Sequence, residues 1–221
     1  MKHFIAILFV ILHLSGCMKI PFREADRVPM SSQDAGIMVN RFKERMPVNF
    51  QLLSTIVFLY NWSQFSGIGY LDINAEKRAF KAVGINPMGV KLFELSGDEQ
   101  GVVTHFALDA LTRRGDLARA VGEDIRRIYF DLVPSPGAAV RRKKYEIIFS
   151  RTLEAGRIEH VFAGPGGELV EKRYYRDGTM DWRISYYEYQ KQDGKSYPRG
   201  ILLKNYRYGY RLLVKQKELY L

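Results

Sequence analysis

The alternation of apolar and polar residues along the chain predicts a protein built largely of β-strands. Runs rich in β-branched and aromatic residues recur between clusters of Gly, Pro, Asn and Asp, which is the pattern of strands separated by turns. Eleven such runs are found, at 52–60, 65–73, 78–85, 90–95, 101–106, 145–150, 158–163, 169–175, 180–189, 201–206 and 210–219. Pairs such as Asp177-Gly178 between alternating runs indicate tight hairpins. The last six runs are therefore predicted to form an antiparallel meander.

Two helical patterns accompany these strands. An apolar residue recurs every three or four positions in the stripe Leu117, Val121, Ile125, Ile128 and Leu132. This spacing is typical of an amphipathic helix, with Asp116 in position to cap it and Pro134 to end it. A shorter pattern predicts a helix from Ser32, its candidate N-cap, to Arg45. The predicted order is thus helix, five strands, helix, six strands.

The N-terminus has the layout of a secretory signal. A basic start precedes an apolar run at 4–14, and the segment Leu14-Ser15-Gly16-Cys17 follows it. A transmembrane helix needs about 20 apolar residues, and this run is shorter. Cys17 is the one cysteine of the chain, so it has no disulfide partner within the chain. An ordinary secretory signal with a chance cysteine is the alternative interpretation.

Leu-Ser-Gly-Cys resembles the lipobox of bacterial lipoproteins. The resemblance implies that residues 1–16 are a signal peptide and that Cys17 is lipidated, with a diacylglyceryl group on its thiol and an acyl chain such as palmitate on its amino group. Residues 17–31 would then be a lipidated tether, and 32–221 a single domain. Two or more acyl chains hold a protein stably on a membrane. Met18 follows the cysteine where an Asp would retain the protein at the inner membrane, so the family rule implies the periplasmic face of the outer membrane.

The net charge of the chain limits the classes of partner that we expect it to bind. The formal net charge is +10 at pH 7, which attracts anionic partners such as nucleic acid or membrane phosphates. An envelope protein does not meet nucleic acid, so we expect a membrane and no nucleic acid. Four consecutive basic residues, Arg141, Arg142, Lys143 and Lys144, are the candidate contact with anionic head groups. A solvated loop is the alternative interpretation of this basic run.

Signatures of enzymes are missing from the sequence. It contains no Gly-x-Ser-x-Gly, His-Glu-x-x-His or Cys-x-x-Cys motif and no phosphate-binding glycine loop. His105 and His160 are isolated on strand patterns, and the acidic pair Glu123-Asp124 is expected to be solvated. We therefore predict no catalytic residue, no metal site and no cofactor, and a protein that is not an enzyme.

The order of elements resembles the lipoprotein-localisation (Lol) superfamily of carriers and receptors. The resemblance rests on Phe65–Ile73 (FSGIGYLDI), Gly84–Leu95 (GINPMGVKLFEL) and Pro198–Leu203 (PRGILL) before a last strand. It implies an α+β, mostly β fold: a strongly curved antiparallel half-barrel of about eleven strands, covered by one to three helices. It also implies an apolar space between the sheet and the helices that holds acyl chains.

The expected function follows from that space. We predict that an acyl chain, a lipid or a lipoprotein binds between the sheet and the helix at 116–132, and that the protein binds or transfers this cargo. The candidate ligand-binding residues are Phe58, Tyr60, Trp62, Tyr70, Phe93, Ile125, Ile128, Trp182 and Tyr186. The same residues would also suit a packed core. The alternative function is a structural or assembly lipoprotein that binds another envelope protein; a continuous apolar hollow favours the carrier, and a filled centre favours the scaffold.

Overall fold

A computed structural model describes residues 20–112 and 116–221 of the 221-residue chain. The predicted signal peptide and Cys17 lie outside the described residues. The helices are α1 (Ala35–Arg45), α2 (Asp109–Thr112) and α3 (Leu117–Tyr129). The strands are β1 (Asn49–Tyr60), β2 (Ser63–Asn74), β3 (Ala79–Ile85), β4 (Lys91–Gly97), β5 (Val102–Ala107), β6 (Ala139–Arg142), β7 (Ile147–Leu153), β8 (Gly156–Ala163), β9 (Glu168–Arg176), β10 (Thr179–Gln192), β11 (Lys195–Asn205) and β12 (Tyr210–Tyr220).

The strands of the described residues form one antiparallel sheet that is curved and not closed. Its spatial order is β5-β4-β3-β2-β1-β12-β11-β10-β9-β8-β7-β6. The first five strands build one half, and the chain then crosses through α2 and α3 to the far edge. The last seven strands return to the middle, where β12 pairs with β1. The predicted antiparallel meander and the α+β half-barrel class are confirmed.

The strand missing from the sequence prediction is β6. Its residues, Ala139–Arg142, are all exposed and pair with β7 at the edge of the sheet. The segment carries no alternation of apolar and polar residues, because neither of its faces is buried. Because β6 is a strand, Arg141 and Arg142 lie in the sheet rather than in the connecting loop that the sequence predicted for the basic run.

Both helices have boundaries that differ from the prediction. Asp34, rather than Ser32, caps α1, and its carboxylate accepts a hydrogen bond from the Ile37 amide at 2.8 Å. Asp116 caps α3 as predicted, accepting from the Arg119 amide at 2.9 Å. However, α3 ends at Tyr129 rather than near 132. Asp131 has a φ of 53°, in the left-handed region, which a continuing helix does not adopt.

Helices α1 and α3 cover one face of the sheet, here called the inner face. Two clusters of buried apolar side chains lie there: one contains Met38 and Phe42 of α1, and the other contains Ile125 of α3. Ile128, also on α3, belongs to the first cluster. No helix within 20–112 and 116–221 is long and apolar enough to cross a membrane.

The segment before α1 contacts the sheet, although it was predicted as a tether. The ring of Phe22 stacks on Tyr187 of β10 with their centroids 5.5 Å apart. The Met30 amide donates to the Lys144 carbonyl at 2.9 Å, and the Met30 side chain is fully buried. Residues 20–31 therefore follow a defined path along the domain.

Candidate functional site

The carboxyl end of α3 is bound by polar side chains from three neighbouring strands. Lys172 of β9 donates to the carbonyls of Arg127 and Phe130, each at 2.8 Å. Tyr186 of β10 donates to the Ile128 carbonyl at 2.8 Å. These carbonyls would otherwise lack partners, since the last turn of a helix has none of its own. The cation also stabilises the negative end of the helix dipole.

His160 of β8 completes this anchorage. Its Nε2 lies 2.8 Å from the Asp131 carbonyl and donates to it, because a carbonyl only accepts. Burial lowers the pKa of His160 to about 4, and the nearby Lys172 adds to that effect. Burial lowers the pKa of Lys172 to about 8, while the Asp131 carboxylate opposes the shift. These groups fix the helix to the sheet, and we assign them no catalytic role.

The middle of α3 is fixed as well. Asp124 is buried, and its carboxylate accepts from the Tyr210 hydroxyl at 2.6 Å and from Arg127 at 2.9 Å. Burial raises the pKa of Asp124, and the hydrogen bond from Tyr210 opposes this. The prediction that Glu123-Asp124 is a solvated pair is therefore wrong for Asp124. Arg126 also reaches the β4–β5 turn and donates to the Gly101 carbonyl at 2.8 Å.

Helix α1 is held mainly by apolar packing. Phe42 contacts the rings of Phe162 and Tyr189 edge-on, with centroids 5.3 and 6.3 Å away. Two polar links lie at its carboxyl end: Arg45 donates to the Gly166 carbonyl at 2.7 Å, and Lys195 donates to the Glu44 carbonyl at 3.0 Å. The two helices therefore differ, because α3 is bound by buried polar groups and α1 is not.

A cavity of about 40 Å³ lies where the two helices meet the sheet. Its lining is mostly apolar and consists of Phe42, Met46, Pro47, Phe50, Leu52, Ile128, Tyr129, Leu132, Tyr186, Tyr189, Ser196, Tyr197, Pro198, Ile201 and Gln216. A pocket for a small-molecule ligand usually measures about 300–1,000 Å³. The cavity is thus roughly a tenth of such a pocket or less.

Two polar side chains of the lining have atoms without a partner. Ser196 Oγ and Gln216 Oε1 are buried and make no hydrogen bond within the described part of the chain. The hydroxyls of Tyr186, Tyr189 and Tyr197 are, in contrast, already engaged with oxygen acceptors of the protein. A buried polar group without a partner costs about 1–3 kcal/mol. Ser196 Oγ and Gln216 Oε1 are therefore the polar atoms free to bind an atom that enters the cavity, while the Gln216 side chain also forms a hydrogen bond with Tyr129.

The predicted ligand-binding residues are distributed over several environments. Ile128 and Tyr186 line the cavity. Ile125, Phe93 and Trp182 lie in the apolar clusters of the inner face. The structure does not bring these five residues to one surface, since only the first two meet at the cavity.

The other four predicted ligand-binding residues do not line the cavity either. Phe58 packs against the Tyr210 ring at 5.2 Å. Tyr60 is half-exposed, and Trp62 in the β1–β2 turn is fully exposed. Tyr70 is on the outer face, because it precedes the inward Leu71 on β2.

The basic run is also spread over different partners. Arg141 lies 3.8 Å from the Glu159 carboxylate, and Arg142 donates to the Gln33 carbonyl at 2.5 Å. The last two members pair locally: Lys143 lies 3.2 Å from Glu146, and Lys144 lies over the Tyr145 ring. The four cations therefore do not form a single patch.

Several lining residues were not predicted from the sequence, among them Phe50, Tyr129, Tyr189, Ser196 and Gln216. They come from different strands and from the end of α3, and no spacing in the sequence connects them. Phe42 had a signal, because it lies on the apolar side of α1. Among the described residues, no group of three His, Cys, Asp or Glu side chains is placed to hold a metal ion.

Comparison with known proteins places the fold and leaves the function open. A family model described as a protein of unknown function, DUF3261, matches residues 57–218. No curated protein sequence matches the chain.

Two solved structures share the architecture. A LolA superfamily protein from Nitrosomonas europaea is 11% identical, with a TM-score of 0.57, over 86% of this chain and 94% of that one. A domain described as an outer membrane lipoprotein-sorting protein, from Vibrio parahaemolyticus, is 10% identical, with a TM-score of 0.50, over 83% of this chain and 90% of that one. At such identities the likeness shows the fold, and the resemblance expected from the sequence is confirmed at that level.

Proposed function

We propose a function for this chain, which belongs to the DUF3261 family of proteins of unknown function, from the cavity between its sheet and its helices. The domain binds an acyl chain, or a molecule that carries one, under α1, and it does so as a lipid-anchored protein of the bacterial envelope. The observation that carries the proposal is an apolar cavity with two unpartnered polar atoms, Ser196 Oγ and Gln216 Oε1, in its wall. The LolA-type fold and the lipobox-like Leu-Ser-Gly-Cys17 support it.

The ligand must displace part of the structure, because about 40 Å³ does not hold an acyl chain. Helix α1 is the element that moves, since its contacts are apolar and the acyl chain replaces them with contacts of the same kind. Helix α3 stays in place because Lys172 and Tyr186 bind carbonyls of its last turn and cap, and His160 binds the carbonyl of Asp131 just after it. Burying a twelve-carbon chain contributes roughly 10 kcal/mol of transfer free energy before ordering costs, at about 0.8 kcal/mol per methylene. That amount is sufficient to offset the displacement of one short helix.

The polar end of the ligand is placed by the two unpartnered atoms, Ser196 Oγ and Gln216 Oε1. A carboxyl or amide oxygen of the ligand accepts from the Ser196 hydroxyl, and an O–H or N–H of the same head group donates to Gln216 Oε1. The ligand class is therefore an acyl chain with an oxygen-bearing head rather than a plain hydrocarbon.

A scaffold that binds another envelope protein is the second candidate, and the small volume of the cavity between the sheet and the helices favours it. The two candidates differ in whether the isolated protein takes up an acyl chain. Titration of the full chain carrying Cys17→Ser with a dansyl-labelled fatty acid distinguishes them. We expect saturable binding at micromolar concentrations, and the absence of binding would overturn the acyl-chain proposal in favour of the scaffold.

A pair of variants localises the binding. Ile201→Phe fills the cavity from β11 and should weaken binding about tenfold or more, since overpacking leaves no room for the ligand. Leu203→Phe on the same strand overpacks the core outside the cavity and is the matched control. Equal loss in both variants would place the ligand elsewhere.

A further inference from the structure

A row of basic side chains crosses the face of the sheet opposite to the helices, here called the outer face. The register pairs Arg173 with Arg183, Arg183 with Lys204, and Lys204 with Arg211, across β9 to β12. Each lies next to residues that point inward, such as Lys172 beside Arg173, so these four side chains point outward. These four residues are called the outer basic row.

The outer basic row carries more charge than its neighbours neutralise. Glu171 pairs with Arg173 at 2.5 Å and lies 3.9 Å from Arg183. Lys204 and Arg211 have no ion-pair partner among the described residues. Burial lowers the pKa of Lys204, and the adjacent Arg183 and Arg211 lower it further. Like charges placed directly opposite each other on neighbouring strands are destabilising, so an internal structural role does not account for this row.

Other cations extend the positive surface toward the sheet edge. Arg157 and Arg141 lie on the same face, and both approach Glu159, at 3.6 and 3.8 Å. Glu159 also lies 3.8 Å from Arg173. Glu171 and Glu159 thus pair with four of these six basic side chains, and the other two, Lys204 and Arg211, have no ion-pair partner among the described residues.

The N-terminal segment reaches this same face. Phe22 stacks on Tyr187 and covers Gly200 so closely that a Cβ there would lie 2.5 Å from its ring. Tyr187 is four residues from Arg183 on β10, which is about 13 Å along a strand. The chain from Cys17 to Phe22 spans at most about 18 Å. If Cys17 carries the lipid anchor, the outer face therefore stays close to the membrane that holds the anchor.

We propose that the outer basic row binds the phosphate head groups of anionic lipids and orients the domain with its outer face on the membrane. Guanidinium groups bind phosphate oxygens in a bidentate manner, and clusters of basic residues near a membrane are attracted by anionic lipid. The row spans three strand spacings, about 14 Å, and so meets a surface rather than one ion. The orientation leaves the helices, and with them the cavity, facing away from the membrane.

Vesicle binding of the full chain carrying Cys17→Ser tests the proposal. Affinity is measured on vesicles of phosphatidylcholine alone and on vesicles with about a third phosphatidylglycerol, at low salt. The ratio of the two affinities cancels any apolar contribution from residues 1–16. We expect binding to be at least about tenfold tighter on the anionic vesicles, with the difference lost near 1 M salt.

Charge reversal locates the surface. Lys204→Glu with Arg211→Glu should reduce the preference for anionic vesicles to less than about threefold. It should not unfold the sheet, because the new carboxylate at position 204 lies opposite Arg183 and attracts it, which offsets the repulsion between the two new carboxylates. Arg41→Glu with Lys77→Glu changes the net charge equally, at exposed sites on α1 and in the β2–β3 turn. This control should keep the preference. Thermal unfolding confirms that both variants are folded.

Three outcomes would overturn the proposal. They are equal affinity for neutral and anionic vesicles, equal loss in the two charge-reversal variants, and loss of the preference when inorganic phosphate is added at constant ionic strength. The last result would mean that the row binds single phosphate ions rather than a lipid surface. None of these outcomes bears on fatty-acid binding in the cavity.

Discussion

Ser196 is a residue whose replacement is expected to change ligand binding and stability in opposite directions. Its hydroxyl is buried without a partner in the described part of the chain, at a cost of about 1–3 kcal/mol. We predict that Ser196→Val raises the free energy of unfolding, measured with urea, by about 1 kcal/mol and weakens fatty-acid binding about fivefold or more. Ser185→Val is the matched control, because Ser185 is buried with a hydrogen bond to Glu171 at 3.4 Å. It should lower stability and leave binding unchanged; a loss of stability in Ser196→Val would contradict the assignment.

His160 makes stability depend on pH. Its pKa is lowered by burial from 6.5 to about 4, so between these values the unfolded chain binds more protons than the folded one. Stability is thus fully present above pH 6.5 and falls as the pH drops toward 4, by up to about 3 kcal/mol. His160→Gln keeps a donor for the Asp131 carbonyl and has no such titration. We predict that the unfolding free energy of this variant changes less between pH 7 and pH 5 than that of the natural chain does.

The matched control for that measurement is His105→Gln. His105 is exposed on β5, with its ring 2.8 Å from the Ser96 hydroxyl. This variant should keep the pH dependence of the natural chain. The carboxylates that also titrate are common to all three proteins, so their contribution cancels when the proteins are compared. Identical curves for His160→Gln and the natural chain would show that His160 is not the source.

At the scale of elements, the two helices are predicted to open independently. Helix α3 is bound through Lys172, His160, Tyr186 and Asp124, whereas α1 packs through apolar side chains such as Phe42. We predict that the amides of α1 exchange with deuterium at least about tenfold faster than those of α3, since local opening is easier where few buried polar contacts must break. A fatty acid should slow exchange in α1 and leave α3 unchanged. Equal protection of both helices without ligand would contradict this model.

The elements differ in how far the sequence predicts them. Strands with one buried face, such as β10 with Trp182, Ile184 and Tyr186 inward, alternate strictly and are recognised. Strand β6 is exposed on both faces, so only its pairing with β7 defines it. The end of α3 was also missed because it depends on contacts made by His160 and Lys172, which are distant in sequence.

The candidate site was less predictable than the fold, for the same physical reason. An aromatic residue has the same strand preference whether it fills a core, lines a cavity or is exposed. Trp62 illustrates this, because its position in a turn with a φ of 67° leaves it in solvent. Ser196 and Gln216 became candidates only when their missing partners were visible in three dimensions. Spacing along a chain does not report whether a hydrogen bond is made.

At the scale of the whole molecule, the two faces of the sheet have different partners. The inner face is covered by helices and contains the cavity, and the outer face carries the outer basic row and the path of Phe22. If the outer face lies on the membrane, α1 is free to open toward the aqueous side. A cargo would then enter from the side that faces away from the bilayer, which suits exchange with a soluble partner.

The lipid anchor and the outer basic row contribute to membrane binding in ways that salt distinguishes. An anchor of two or more acyl chains on Cys17 is insensitive to salt, whereas attraction between the row and anionic lipid is screened by it. We predict that the natural protein stays with membranes through a wash at about 1 M salt. Cys17→Ser should sediment partly with membranes at low salt and appear in the soluble fraction after the wash. Adding Lys204→Glu and Arg211→Glu should abolish the low-salt fraction too. Membrane association of Cys17→Ser that survives the wash would mean that the anchor lies elsewhere in the chain.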